Sequence, residues 1–405
     1  MNSGALRTLD DLAVTGKRVL VRADLNVPMQ DGKVADSLRI DRQAPTIREL
    51  ADRGARVIVL SHFGRPKGKP VAAMSLKPVV PALSEAVGRP VAFAGDCIGS
   101  EAERSVAELG NGEVLLLENT RFHAGEEANG PAFAKAVAAL GDLFVNDAFS
   151  AAHRAHATTE GLAHLLPSAA GRALQTELSH LHRALDRPER PLMAVIGGAK
   201  ISTKLDLIGN LLRRVDVLVI GGAMANTFFA AQGFEIGKSL SEPDHTDAAR
   251  EVLEKAKSRD GALVLPCDVI VAKEFKAGAA CRIEAVANVA PDDIILDLGP
   301  ETLEAFCARL EQVRTLVWNG PLGAFETRPF ERGTIEAAKC AAACTKSGRL
   351  LSVAGGGDTV AALNMAGVTD RFSYVSTAGG AFLEWLGGRE LPGISALLQA
   401  RDKQT

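Results

Sequence analysis

One local unit recurs along the chain and constrains the fold more than any other feature. A short apolar run rich in β-branched residues comes first, then a polar or glycine-rich turn, then a helical pattern. Such runs occupy residues 18–22 (RVLVR), 56–60 (RVIVL), 113–117 (EVLLL) and 143–146 (LFVN) in the first half. In the second half they occupy 192–196 (LMAVI), 215–220 (VDVLVI), 262–265 (ALVL), 315–318 (TLVW) and 350–353 (LLSV). Helical patterns lie between them, for example at 41–53, 131–140, 201–213 and 302–311. A strand with one face in water alternates apolar and polar residues, whereas these runs are continuously apolar. Strands of that kind, separated by helices, predict mostly parallel sheets covered on both faces, the α/β class.

The repeat is interrupted at 166–190, where Pro167, Gly171, Pro188 and Pro191 bracket a polar helical pattern over 174–185. Each side retains its own set of strands, and 405 residues fit two or three domains of about 150 residues each. The expected organisation is a first domain over 1–170, a helical linker over 171–190 and a second domain over 191–388. The tail, 389–405, has a turn and one apolar stretch, and spacing alone does not decide which domain it joins. The charge balance of 46 basic and 49 acidic residues excludes a generally basic nucleic-acid binder, and 4% aromatics argue against a base-stacking surface. No apolar run approaches the roughly 18 residues of a membrane span, and the N-terminus lacks the apolar core of a secretory signal. The six cysteines are scattered without a CxxC pair, which fits reduced thiols in a cytoplasmic protein.

In open parallel sheets, ligands bind beyond the carboxyl ends of the strands. In the first half, the residues just past those ends are cationic. Asp24, Leu25, Asn26 and then Arg39 follow the first run, and His62, Phe63, Gly64 and Arg65 follow the second. Arg121 follows the third, and Arg154, between His153 and His156, follows the fourth. A single arginine of this set is better explained by a solvated or salt-bridged surface. Four at equivalent places point to a small polyanionic ligand, because guanidinium forks pair bidentately with phosphate or carboxylate. Asp24 and Asn26 suit a ligand hydroxyl, with helix capping as the alternative.

The second half carries glycine groups in the same places: Gly197-Gly198-Ala199-Lys200, Gly221-Gly222, Asn319-Gly320, Gly355-Gly356-Gly357-Asp358-Thr359 and Gly379-Gly380. Glycines let backbone N–H groups approach phosphate oxygens at a helix N-terminus, so the series suggests a nucleotide, while any one group is equally loop punctuation. Lys200 and Lys204 are expected on one face of an opening helix, and Asp358 is a candidate ligand for Mg²⁺. Several motifs fail: 233–239 (GFEIGKS) is one residue short of a P-loop, and there is no GxGxxG after a first strand, no HExxH and no GxSxG.

The stretches RADLNVP, SHFGRP, LLLENTRF, VNDAFSAAHRAHAT, GGAKISTK, NGPLGAFE, AGGGDT and STAGGAFLEWL, in this order and spacing, resemble the phosphoglycerate kinase family over nearly the whole chain. The resemblance implies two Rossmann-like domains joined by a helical linker with a cleft between them. It implies reversible Mg-dependent phosphoryl transfer between 1,3-bisphosphoglycerate and ADP, giving 3-phosphoglycerate and ATP, in glycolysis and gluconeogenesis. A cytoplasmic monomer that closes over its substrates, with no nucleic-acid or membrane partner, is the expectation. By matched motif, Asp24, Leu25, Asn26, Arg39, His62, Phe63, Gly64, Arg65, Arg121 and Arg154 would hold the phosphoglycerate. Lys204, Gly221, Gly222, Asn319, Glu326, Gly356, Gly357, Asp358 and Thr359 would hold the nucleotide, Asp358 with Mg²⁺. Arg39, Lys200, Lys204, Gly379 and Gly380 would meet the transferring phosphoryl group, and the tail would fold back on the first domain. Departures are small: Phe63 stands where many members have Leu, and Ala378 where many have Gly. Rival readings are a carbamate- or acetate-type kinase, which leaves the arginines unexplained, a nicotinamide-dependent dehydrogenase, which lacks its fingerprint, and a non-catalytic binding protein.

Overall fold

A computed structural model describes residues 6–257 and 263–402. The chain divides into two compact units: one comprises His180–Arg389, the other the chain up to Ser179 together with the residues from Glu390 onward. The boundary falls inside helix Arg172–Leu181, which continues into a π-helical turn at His182–Asp186.

The first unit is built on six strands: β1 (Arg18–Arg22), β2 (Arg56–Leu60), β3 (Val91–Ala94), β4 (Val114–Leu117), β5 (Leu143–Asn146) and β6 (Ser168–Ala170). They lie in the order β3-β4-β2-β1-β5-β6, and every neighbouring pair is parallel. Side chains alternate between the faces of a strand. Val19, Val21, Val57, Val59, Leu116 and Val145 therefore share one core with Ile40, Ile47 and Leu50 of helix α1 (Leu38–Asp52). Leu20, Ile58, Leu115 and Phe144 are buried on the opposite face. This double burial is why the runs are continuously apolar. The tail helix Pro392–Asp402 packs on Leu162–Leu165 and β6, and the Gly393 N–H donates to the Ala152 carbonyl at 2.9 Å.

The second unit carries β7 (Leu192–Ile196), β8 (Val217–Ile220), β9 (Leu263–Val264), β10 (Asp268–Ala272), β11 (Cys281–Ala285), β12 (Ile294–Leu298), β13 (Thr315–Asn319), β14 (Leu351–Gly355) and β15 (Tyr374–Ser376). Six of these form a parallel sheet in the order β9-β8-β7-β13-β14-β15. The run expected at 262–265 is thus shorter, and Ala262 lies outside the described residues. Strands β10, β11 and β12 form a separate antiparallel sheet, which a search for continuous apolar runs does not find. The reason is visible in β11, where four of five residues are exposed.

In both parallel sheets the chain winds outward from a central strand and then crosses to its other side. The switch lies between β1 and β5 in the first unit and between β7 and β13 in the second. Loops leaving the carboxyl ends diverge there and open a crevice. Among the described residues no helix is long and apolar enough to cross a membrane.

Candidate active site

Because β1, β2, β4 and β5 are parallel, the segments that follow them leave on one rim of the first unit. Asp24, past β1, is buried and held from several sides. The Ser150 hydroxyl donates to its Oδ2 at 2.6 Å, the Asn26 N–H to its Oδ1 at 3.1 Å, and Arg39 on the first turn of α1 pairs with it at 3.2 Å. Arg39 also donates to the Asn26 carbonyl at 2.9 Å, and Asn26 Oδ1 accepts the Gly64 N–H at 2.9 Å. Asp24, Asn26, Arg39 and Gly64 therefore form one hydrogen-bonded array. Gly64 also fixes Arg121, which donates to its carbonyl at 2.8 Å and pairs with Glu127 at 3.3 Å. The side chains of Leu25 and Phe63 belong to the core, and their N–H groups are held by Ser61 Oγ and Asn119 Oδ1. What they offer the rim is backbone.

Arg121, Arg154, His62 and His156 gather beside this array. Burial, reinforced by Arg22, Arg121, Arg154 and His156, holds His62 well below the usual histidine range. Burial and the same arginines bring His156 down to about 4. Both imidazoles are neutral near pH 7, while burial lowers Arg121 only to about 10 and leaves it charged. Arg65 is exposed, and among the described residues no hydrogen bond or ion pair joins it to the cluster. Sequence reasoning missed Arg22, the last residue of β1, although a charge closing an otherwise apolar run was the available signal. Arg22 is fully buried: it donates from Nε to Thr158 Oγ1 at 3.1 Å and from Nη2 to His62 Nδ1 at 2.8 Å, and also contacts the Ala23 carbonyl. The nearby Glu126 is its counter-charge. Burial pushes that carboxyl up, opposed by Arg22 and by two donors from Thr158 at 2.6 and 3.0 Å.

In the second unit the candidate residues collect at the β7/β13 switch. The helix expected from residue 201 starts later, at Leu205, with Lys204 as its N-cap, so Lys200 and Lys204 do not share a helical face. Turn geometry over 201–204 replaces it. Lys204 donates to the Gly197 carbonyl at 2.6 Å and to Asn319 Oδ1 at 2.8 Å. Burial brings its ammonium down to about 8, against the opposing pull of Asp358. Lys200 is exposed. Asn319 is committed to the protein on both sides of its amide, since Nδ2 donates to the Gly355 carbonyl at 2.7 Å. Gly356 has φ +103, and a Cβ there would lie 2.6 Å from Asn319 Nδ2, so backbone conformation and close packing both demand glycine. Thr359 Oγ1 accepts the Gly320 N–H at 2.6 Å.

A cavity of about 560 Å³ opens beside these loops, within the volume range of small-molecule sites. Gly198, Gly222, Phe325, Glu326 and Asp358 line it, as does Lys238 from the failed P-loop motif. Gly221 is buried against Leu322 instead. Two helices begin at the expected glycines, Gly357–Met365 and Gly379–Leu386. Gly357, Asp358, Thr359, Gly379 and Gly380 thus fall where helical N–H groups have no intrahelical acceptor. Asp358 is an exposed carboxylate at such an end, a hard oxygen donor of the kind that holds Mg²⁺ when phosphate oxygens and water complete the shell.

This is an α/β protein of two parallel-sheet units, each with a candidate anion site at its switch point. The profile of the phosphoglycerate kinase family matches residues 9–389. A phosphoglycerate kinase of Rhodospirillum centenum is 63% identical over 393 residues, 97% of this chain and 99% of its own. One from Sinorhizobium medicae is 59% identical over 396 residues, covering 98% of this chain and 99% of its own. The solved structure of phosphoglycerate kinase from Coxiella burnetii superposes with a TM-score of 0.90 at 44% identity, covering 97% of this chain and 99% of that one. That from Pyrococcus horikoshii gives 0.82 at 31% identity over 99% of this chain and 100% of its own. The chain belongs to the phosphoglycerate kinase family.

Proposed function

We infer that the protein catalyses reversible phosphoryl transfer between 1,3-bisphosphoglycerate and ADP, giving 3-phosphoglycerate and ATP. The observation that carries this reading is the family match across both units, which brings both candidate sites into one chain. The acid binds on the first unit through Arg39, His62, Arg65, Arg121 and Arg154, with Asp24 and Asn26 on its hydroxyl. The nucleotide binds on the second unit at Gly222, Glu326 and the start of helix Gly357–Met365, with Lys204 beside it. Mg²⁺, held by Asp358 and the nucleotide's phosphates, neutralises phosphate charge when bound.

In the transfer, the bond between phosphorus and the acyl oxygen breaks and the carboxylate departs with the electron pair. A terminal phosphate oxygen of ADP forms the new bond to phosphorus. Both nucleophile and leaving group are already anions, so no general base is required. The barrier lies in bringing two polyanions together and in the charge on the equatorial oxygens. Arg39, Lys200, Lys204 and the N–H groups of Gly379 and Gly380 meet that charge. The ligands belong to separate units, so transfer depends on the units bringing them together. The reading makes this a cytoplasmic enzyme of glycolysis and gluconeogenesis that acts as a monomer.

The test is a coupled assay: ATP and 3-phosphoglycerate, with and without Mg²⁺, read through NADH consumption by glyceraldehyde-3-phosphate dehydrogenase. Mg-dependent NADH loss supports the reading. No loss with either substrate in excess overturns it.

A further inference from the structure

Arg22 has no role in the reading above, yet it is among the largest fully buried side chains of the protein. A guanidinium has five N–H donors and no acceptor. At 2.8 Å from His62 Nδ1, Arg22 Nη2 can only donate, so Nδ1 must supply its lone pair. A neutral imidazole has one proton, and that proton then resides on Nε2. We propose that Arg22 is a positioning residue that locks His62 in the Nε2–H tautomer, so that His62 presents the bound acid with a hydrogen-bond donor and never an acceptor.

The lock is itself held. Arg22 Nε donates to Thr158 Oγ1 at 3.1 Å, and the Thr158 hydroxyl in turn donates to Glu126 Oε1 at 2.6 Å. The donors run in one direction, Arg22 to Thr158 to Glu126, so the hydroxyl cannot reverse without facing a guanidinium. Arg22, Thr158 and Glu126 are each buried, which makes a broken link expensive. Among the described residues no hydrogen bond engages His62 Nε2, leaving its proton for a ligand. Lock and neutral ring act together. An imidazolium would add a charge that Arg22, Arg121 and Arg154 oppose, and the other tautomer would turn a lone pair toward an anion. The result is a ring that selects ligand oxygens able to accept, such as a carboxylate.

The idea that the ligand is an acid rests on the proposed function; the tautomer does not. The full-length protein is labelled with ¹⁵N-histidine and its long-range ¹H–¹⁵N correlations are recorded near pH 7 without ligand, His62 being assigned from its absence in His62→Asn. The expected spectrum gives His62 a bare, pyridine-type Nδ1 and a protonated Nε2. A protonated Nδ1 or an imidazolium at His62 overturns the proposal, and the tautomer is read on the wild-type protein, His62→Asn serving only to assign the signal. In Arg22→Met the lock is removed. The fixed tautomer pattern should be lost, and KM for 3-phosphoglycerate should rise about ten- to a hundredfold, as expected for one hydrogen bond to a charged group. KM for ATP should hold, and Arg22→Lys, which retains a donor, should recover part of both signals. An Arg22→Met protein with unchanged tautomer and unchanged KM overturns the proposal. Absent turnover of 3-phosphoglycerate would instead remove the functional reading and leave the spectrum to be judged alone.

Discussion

Two adjacent glycines should respond oppositely to the same substitution. In Gly356→Ala the new methyl meets two obstacles. The backbone φ of +103 is a conformation that residues with a Cβ rarely adopt, costing about 1–3 kcal/mol. The Cβ also lies 2.6 Å from Asn319 Nδ2, within van der Waals overlap, so the amide must move. Moving it breaks the 2.7 Å bond to the Gly355 carbonyl and withdraws the acceptor that Lys204 uses at 2.8 Å, each worth about 1 kcal/mol net. The expected loss is about 3–5 kcal/mol, a large part of a typical stability of about 5–15 kcal/mol. Gly357 opens a helix with nothing within 4 Å of its Cβ position, so Gly357→Ala should be neutral or gain about 0.5–1 kcal/mol. Urea unfolding followed by tryptophan fluorescence isolates the effect, because Trp318 and Trp385, the only two tryptophans, both lie in the His180–Arg389 unit. A loss below about 1 kcal/mol in Gly356→Ala, or equal losses in both variants, would refute the reasoning.

Three further outcomes are expected. On the proposed reading the main partner of Arg39 is the transition state, so Arg39→Ala should lower kcat by about a hundredfold or more while moving KM far less; steady-state kinetics showing the reverse would reassign it to ground-state binding. Asp358→Ala should weaken Mg-nucleotide binding and leave 3-phosphoglycerate affinity unchanged, measured by separate calorimetric titrations, and parallel losses would contradict two separate sites. Burial pushes the carboxyls of Asp147 and Asp297 up to about 6 and about 7. On these two groups the native state therefore keeps protons that the unfolded chain releases above its ordinary 3.8, so their contribution to stability falls as pH rises from about 4 to 7, while buried neutral His62 and His156 contribute in the opposite sense. For Asp297 the span is worth up to about 4 kcal/mol. In urea series read by fluorescence, the stability of Asp297→Asn relative to wild type should rise from about pH 4 to 7, and a difference that does not change with pH would count against the assignment.

What the sequence made legible was local. A strand buried on both faces must be apolar at every position, so β1, β2, β4 and β5 stood out, and the residues after them could be named without knowing their neighbours. The antiparallel sheet was illegible because β11 is largely exposed and carries Arg282 and Glu284 among its five residues. The position of Lys204 was misjudged for a related reason. Spacing by four assumes a helix, but the chain turns through 201–204 so that the ammonium can reach Gly197 and Asn319, a contact made across 115 residues. Asn319 and Arg22 mark the same boundary. Both were visible as residue types, but their partners lie on other strands and loops, and the pairing is a product of sheet order.

That sheet order also explains why the two candidate sites would offer an anion different donors. In the first unit the rim collects side chains from four parallel strands, so permanent charge comes from arginines, and the histidines among them are kept neutral by burial and by those arginines. Neutral rings supply direction where further charge would only add repulsion. In the second unit the loops at the switch pack against one another, as the clash expected at Gly356 shows. There the donors are the N–H groups that open Gly357–Met365 and Gly379–Leu386, with Lys204 pinned between two oxygens. Backbone donors carry partial charge, so a nucleotide's phosphates would remain undercompensated on this unit. On the proposed reading, the exposed carboxylate of Asp358 would hold a cation that arrives with the ligand.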